Sequence, residues 1–276
     1  MKAGASDLKT RATSAGALLR QWRDIRGKTQ LDLSFDAGVS QKHISFVESG
    51  RSIPSRQMLL DLAQALDVPL RERNELLLAA GYAPSYSDPA LGAPAMTSIS
   101  RALGRMLRQH EPFPAIVMDR YWNVLMTNEA APLLFNCFID MSARPTPRNL
   151  LHLMFDPAGM RPFIANWPQA GRSLLARVHR EAVGHVVDVR TKTLLEELSR
   201  YPGVKPEWRA PSASDAMPTI PLSFVKDGVT LDYFSLITTV GTPQTVTAEE
   251  LRLECMFPAN DATEAEHGRF LRRYSG

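Results

Sequence analysis

Apolar residues in the first third of the chain recur every three or four positions, as one buried face of a helix requires. Leu18, Leu19, Trp22 and Ile25 make the first such stripe, with Ser14 placed to cap it and Gly27 to stop it. Thr29 then caps Gln30 to Ala37, and Gly38 ends that segment. Ser40 caps Gln41 to Glu48, closed by Gly50. Pro54 and Ser55 reset the chain before Arg56 to Leu66, where Met58, Leu59, Leu62, Ala63 and Leu66 are apolar. Pro69 opens a fifth helix that runs to Ala80 and is closed by Gly81. The pattern predicts five short helices in one all-α unit, residues 1–82.

Residues 83–98 are rich in Pro, Ala, Ser and Gly without periodicity, which reads as a linker. A helix is expected from Ile99 to Gln109, after which the period changes from helical to alternating. Ala115–Met118 and Trp122–Thr127 read as strands joined by Asp119-Arg120-Tyr121, and Asn128–Phe135 as helical. Ser173–Val183 and Thr193–Arg200 are helical in pattern. Leu222–Val225, Thr230–Val240 and Leu251–Phe257 read as strands, with Asp227-Gly228 a strong hairpin signal. In the last strand Leu251, Leu253, Cys255 and Phe257 alternate with Arg252, Glu254 and Met256, which predicts one buried face. The order predicts an α+β domain over 99–276, an antiparallel sheet with helices on one face, and hence an α+β multidomain chain.

Composition narrows the function. With 44% hydrophobic and 22% charged residues over 276 positions, the chain has enough apolar material for packed cores. No apolar run approaches a membrane span, and the polar start, Met1 to Thr13, lacks the apolar segment of a secretory signal. Two distant cysteines, Cys137 and Cys255, fit a reducing cytoplasm. Residues 1–82 carry 12 Lys/Arg against 9 Asp/Glu, whereas 83–276 are balanced at 20 each, so the net charge of +3 lies wholly in the helical third. That asymmetry points to a polyanion partner there.

The helical third supplies the chemistry for such a partner. Leu33, Ala37, Val39, Ile44 and Val47 would pack two short helices across Gly38, the geometry of a helix-turn-helix. The second helix then presents Gln41, Lys42, His43, Ser45 and Phe46 to a major groove. Gln41 suits an adenine edge, and Lys42 suits guanine or a phosphate. Gln30 and the Ser40 hydroxyl are placed for phosphates, as are Arg51, Ser55 and Arg56 behind the recognition helix. Phe46 must either touch thymine methyls or pack on another protein surface.

Residues 14–68 resemble the XRE or phage-repressor type of helix-turn-helix domain. That resemblance implies sequence-specific binding to double-stranded DNA, usually as a homodimer on a palindromic operator. Further phrases extend the likeness: Arg51-Ser52-Ile53-Pro54-Ser55-Arg56, Ala79-Ala80-Gly81-Tyr82-Ala83-Pro84, Asp119-Arg120-x-Trp122-Asn123-Val124, Asn166-Trp167, Tyr201-Pro202-Gly203, Gly241-Thr242-Pro243 and Glu250-Leu251-Arg252-x-Glu254-Cys255-x-Phe257-Pro258. These resemble the MmyB-like bacterial transcription regulators. The likeness implies a PAS-like second domain that binds a small apolar ligand, with fatty-acid-type molecules implicated. Phe35, His43 and Met256 depart from the pattern and leave the operator sequence open.

The residues themselves offer a pocket or a solid core. Phe113, Met118, Trp122, Met126, Phe135 and Phe155 are large and soft, as are Phe138, Phe163, Trp167, Phe224 and Phe234. Asn128 and Asn166 either orient a ligand headgroup or cap neighbouring helices. Arg120 either meets a ligand carboxylate or lies solvated in a hairpin. His179, Glu181 and His185 do not share one helix face, so they make no metal site, and Glu181 with His185 reads as a surface pair. No phosphate loop or nucleophile elbow occurs, and no cofactor is expected apart from a bound fatty acid or similar ligand. A regulator rather than an enzyme is therefore expected. The rivals are a DNA-tethered enzyme on acyl substrates and an antitoxin-like or scaffold protein.

Overall fold

The computed structural model describes residues 14–183, 188–209 and 221–274. His185 and the polar start of the chain lie outside these residues. The chain divides into two compact units that meet in sequence between Ser87 and Asp88.

The first unit holds α1 (Ala15–Ile25), α2 (Gln30–Ala37), α3 (Gln41–Glu48), α4 (Arg56–Ala65) and α5 (Leu70–Ala79). Each cap expected from the sequence forms: the side chains of Ser14, Thr29, Ser40 and Ser55 accept backbone N–H groups of the first helical turn. Thr29 does so reciprocally, since Asp32 accepts the Thr29 N–H at 2.8 Å. The Thr29 hydroxyl and N–H together hold the Asp32 carboxyl below its usual range. Gly38 ends α2 at φ 65°, the left-handed conformation that lets α3 turn away. Leu19, Trp22, Leu33, Ile44, Val47, Leu59, Leu62 and Leu76 fill one buried core. Ile25, expected on the buried stripe, is instead exposed at the end of α1. Gly16 sets how closely α1 crosses α3, because a Cβ there would lie 2.1 Å from the Val47 carbonyl oxygen.

The second unit contains α6 (Thr97–Gln109), β1 (Ala115–Met118), β2 (Val124–Thr127), α7 (Ala130–Asn136), α8 (Leu150–Phe155), α9 (Trp167–Val183) and α10 (Val189–Arg200). These are followed by β3 (Leu222–Lys226), β4 (Val229–Thr239), α11 (Val246–Glu250), β5 (Arg252–Pro258) and α12 (Asp261–Tyr274). The five strands form one antiparallel sheet in the order β2-β1-β5-β4-β3, a PAS-like arrangement. Asp227 and Gly228 close the β3–β4 hairpin at φ 48° and 81°, the paired positive values of a tight two-residue turn.

Helices cover one face of the sheet heavily. Met118, Phe224, Leu231, Tyr233 and Met256 meet Phe135, Phe155, Leu175, Leu198 and Phe270 from α7, α8, α9, α10 and α12. The opposite face is covered too: Ala115, Val117 and Leu253 pack against Leu103 and Leu107 of α6. The segment read as a linker divides accordingly. Its first residues go with the helical unit, where Asn74 accepts the N–H groups of Ser85 and Tyr86. Its last residues go with the sheet, where Met96 is 1% exposed and Thr247 donates to the Pro89 carbonyl.

Candidate functional site

The first unit presents α3 on a firm base. Ile44 and Val47 are buried, while Gln41 and Lys42 are exposed and His43, Ser45 and Phe46 are half-buried. The Ser40 oxygen accepts the His43 N–H at 3.3 Å, so its own hydroxyl hydrogen stays available for an acceptor such as a phosphate. Two cations approach the Phe46 ring, Lys42 at 5.7 Å and Arg51 at 5.5 Å from its centre. This gives the phenyl on the outward face a local role in fixing two basic side chains. Ser55 caps α4, and Arg56 donates to the Ser85 hydroxyl at 2.7 Å.

Gln30 is placed differently from a free phosphate ligand. Its amide donates to Glu48 at 2.9 Å. Glu48 also receives the Arg23 guanidinium at 2.7 and 3.1 Å, which ties α1, α2 and α3 together. The Glu48 hydrogen bonds, opposed by burial, hold the Arg23 guanidinium above its ordinary range. The pattern of a polar residue at the start of α2 was legible in sequence; its partner, 18 residues on, was not.

In the second unit the expected pocket residues separate. Met118, Trp122, Phe135 and Phe155 share the helix-covered core, with Phe113 and Trp167 packed against it. Phe155 meets Trp167 edge-on at 4.9 Å. Met126 packs in the α6 cluster on the other face, and Phe234 stacks on Phe257 at 5.6 Å. These two are therefore not gathered with the rest.

Both asparagines are engaged by backbone groups. Asn128 accepts the N–H groups of Ala115 and Ala131 at 3.0 and 3.1 Å and donates to the Phe113 carbonyl. It thereby caps the start of α7 and anchors β1. Asn166 accepts from Ser223 and donates to the Pro221 carbonyl, pinning the start of α9 to β3. Glu181 pairs with Arg177 and Arg252, and its expected partner His185 lies outside the described residues. Arg120 is not solvated: its side chain is 9% exposed and bridges Asp188 and Glu250 at 3.0 and 3.1 Å.

Sequence reasoning missed Arg177. Its guanidinium carbon lies 4.2 Å from the Trp122 ring centre, and its nitrogens reach Glu181 and Glu254. The i, i+4 spacing to Glu181 was visible, but the approach to Trp122 depends on the tertiary fold. Nearby, a groove of about 400 Å³ is bounded by Tyr121, Asn149, His152, Arg190 and Glu197. Arg190 lies 4.0 Å over the Tyr121 ring there. On the same helix-covered face, Tyr233 and His267 form a buried pair. His267 Nε2 faces the Pro112 carbonyl, so that nitrogen carries the hydrogen and Nδ1 accepts the Tyr233 hydroxyl at 2.6 Å. Burial lowers the His267 pKa and raises that of Tyr233.

Comparison with known proteins assigns both units. No curated protein matches the chain. A solved structure of an RNA-binding Light-Oxygen-Voltage receptor aligns over 100% of this chain and 69% of its own, at 11% identity and a TM-score of 0.28, too low to carry an argument. Among the described residues no helix is long and apolar enough to cross a membrane. Residues 19–73 match the helix-turn-helix family, which covers α2, α3 and the helices around them. Residues 99–268 match the MmyB-like transcription regulator ligand binding domain. With this match spanning most of the chain behind a helix-turn-helix, the protein belongs to the MmyB-like transcription regulators.

Proposed function

We propose that this DNA-binding regulator reads a two-fold operator as a homodimer in the cytoplasm, with α3 in the major groove. The reading rests on one observation above all: α3 exposes Gln41 and Lys42 beside Phe46, whose ring draws in Lys42 and Arg51. Gln41 reads a base edge, while Lys42, Arg51 and the Ser40 hydroxyl hold the phosphate backbone. Half-sites then lie about 34 Å apart.

The second domain takes a small apolar, fatty-acid-like ligand whose occupancy modulates DNA binding. Met118, Met141, Met154, Met160 and Met256 support this reading, because thioether side chains repack around a guest more readily than branched ones. Modulation requires that the ligand bind one arrangement of the regulator more tightly than another.

Operators selected from a random duplex pool test the first part. Gln41→Ala should weaken binding to the selected operator by about 1–3 kcal/mol and relax preference at one base pair. Unchanged affinity together with unchanged preference would remove α3 as the reader. For the second part, denaturing extraction and mass spectrometry of the purified protein should release an apolar molecule. Its addition or removal should then shift operator affinity.

A further inference from the structure

Trp122 carries three unusual features at once. Its backbone is left-handed at φ 67°, a conformation that a bulky residue adopts only where its surroundings enforce it. Its side chain is 1% exposed, yet its indole Nε1–H meets no acceptor among the described residues. Arg177, stacked on the same ring, also has a closed-off nitrogen, Nη2, without an acceptor. A buried donor left unmade costs about 1–3 kcal/mol. Two such donors, one on a strained residue and one on the guanidinium stacked over its ring, mark a place built for something else to complete.

We propose that Trp122 Nε1 and Arg177 Nη2 form the polar end of the ligand site, and that they hold a neutral carbonyl oxygen, as in an ester, amide or lactone. This rests on the apolar-ligand reading above. The local charges decide between a neutral acceptor and a carboxylate. Arg177 already pairs with Glu181 at 3.0 Å and Glu254 at 3.3 Å, and Arg252 reaches Glu181 at 3.3 Å. Two guanidinium groups and two carboxylates balance. A further buried negative charge would stand uncompensated beside Glu181 and Glu254, whereas a carbonyl accepts two N–H bonds without adding charge. The apolar body of the ligand runs from there into the core that Trp122 shares with Met118, Leu175 and Val178.

The experiment uses the full chain and two ten-carbon probes, methyl decanoate and decanoate, with binding measured by calorimetry and by the Trp122 indole ¹H–¹⁵N resonance. Trp122→Phe assigns that resonance by its loss. The ester should shift the indole proton downfield and bind at least about tenfold more tightly than the carboxylate. Trp122→Phe and Arg177→Lys should each weaken the ester by about five- to tenfold, the worth of one hydrogen bond. Preference for decanoate puts a carboxylate at the two donors, and an ester that binds without moving the wild-type indole resonance leaves them a buried water; either outcome overturns the carbonyl assignment alone. If neither probe binds, the apolar-ligand reading falls and takes this inference with it.

Discussion

Arg23 and Arg177 each bind a helix to distant parts of their units, but only one is fully engaged. Arg23 sends Nε and Nη2 to Glu48 and Nη1 to the Lys28 carbonyl, so every guanidinium nitrogen has a partner. Arg177 uses Nε and Nη1 on two carboxylates and leaves Nη2 without one. The difference separates two kinds of interior. Around Arg23 the guanidinium is saturated by its own unit, and the exposed polar residues lie outward on α3. Around Arg177 the sheet domain keeps donors inside, where only a guest or a water reaches them.

The contrast can be broken most severely at Gly16. Gly16→Ala forces a methyl into the Val47 carbonyl and should destabilise the first unit by about 3 kcal/mol, the upper end for an overpacked site. Hydrogen exchange should report lost protection in α1 and α3, with β4 and β5 unchanged. Glu48→Ala comes next. It strands Arg23, whose side chain is 11% exposed, and should cost about 3 kcal/mol in urea unfolding.

The second unit should respond to acid instead. His267 is neutral when folded, with burial holding its pKa below 6.5. The unfolded chain therefore binds more protons just below that value. Stability is fully present above 6.5 and is lost as pH falls toward the folded pKa. Urea unfolding between about pH 7.5 and 5.5 should show this loss, and His267→Gln should flatten it. The smallest stability effect is expected for Trp122→Phe, within about 1 kcal/mol, because removing an unpartnered donor offsets the lost ring contacts. A loss as large as that of Glu48→Ala would show that the Trp122 region is as complete as the Arg23 region.

What was legible in the sequence follows the range of the interactions. The caps at Ser14, Thr29, Ser40 and Ser55 involve residues three positions apart, and all form as read. Errors arise where distant segments intervene. The expected strand from Trp122 begins only at Val124, because Trp122 turns left-handed and Asn123 is held by Asp119 and Asn149. Arg120 looked solvated, but its partners lie 68 and 130 residues away. In β5 the alternation of Leu251, Leu253, Cys255 and Phe257 implied one buried face, yet Glu254 and Met256 are buried as well. Both sides of the central strands are covered, and no local pattern announces that. For the candidate site, the outward residues of α3 were readable from helical period alone, while the Trp122–Arg177 pair required the fold.

The pairing of β1 with β5 has a consequence for synthesis. Ala115 lies opposite Cys255 at the centre of the sheet, so the middle of this domain stays unfinished until nearly all of it has left the ribosome. The helix-turn-helix, made of neighbouring segments, can assemble far earlier. A nascent or prematurely terminated chain would thus hold a folded helix-turn-helix before the domain behind it had closed its sheet.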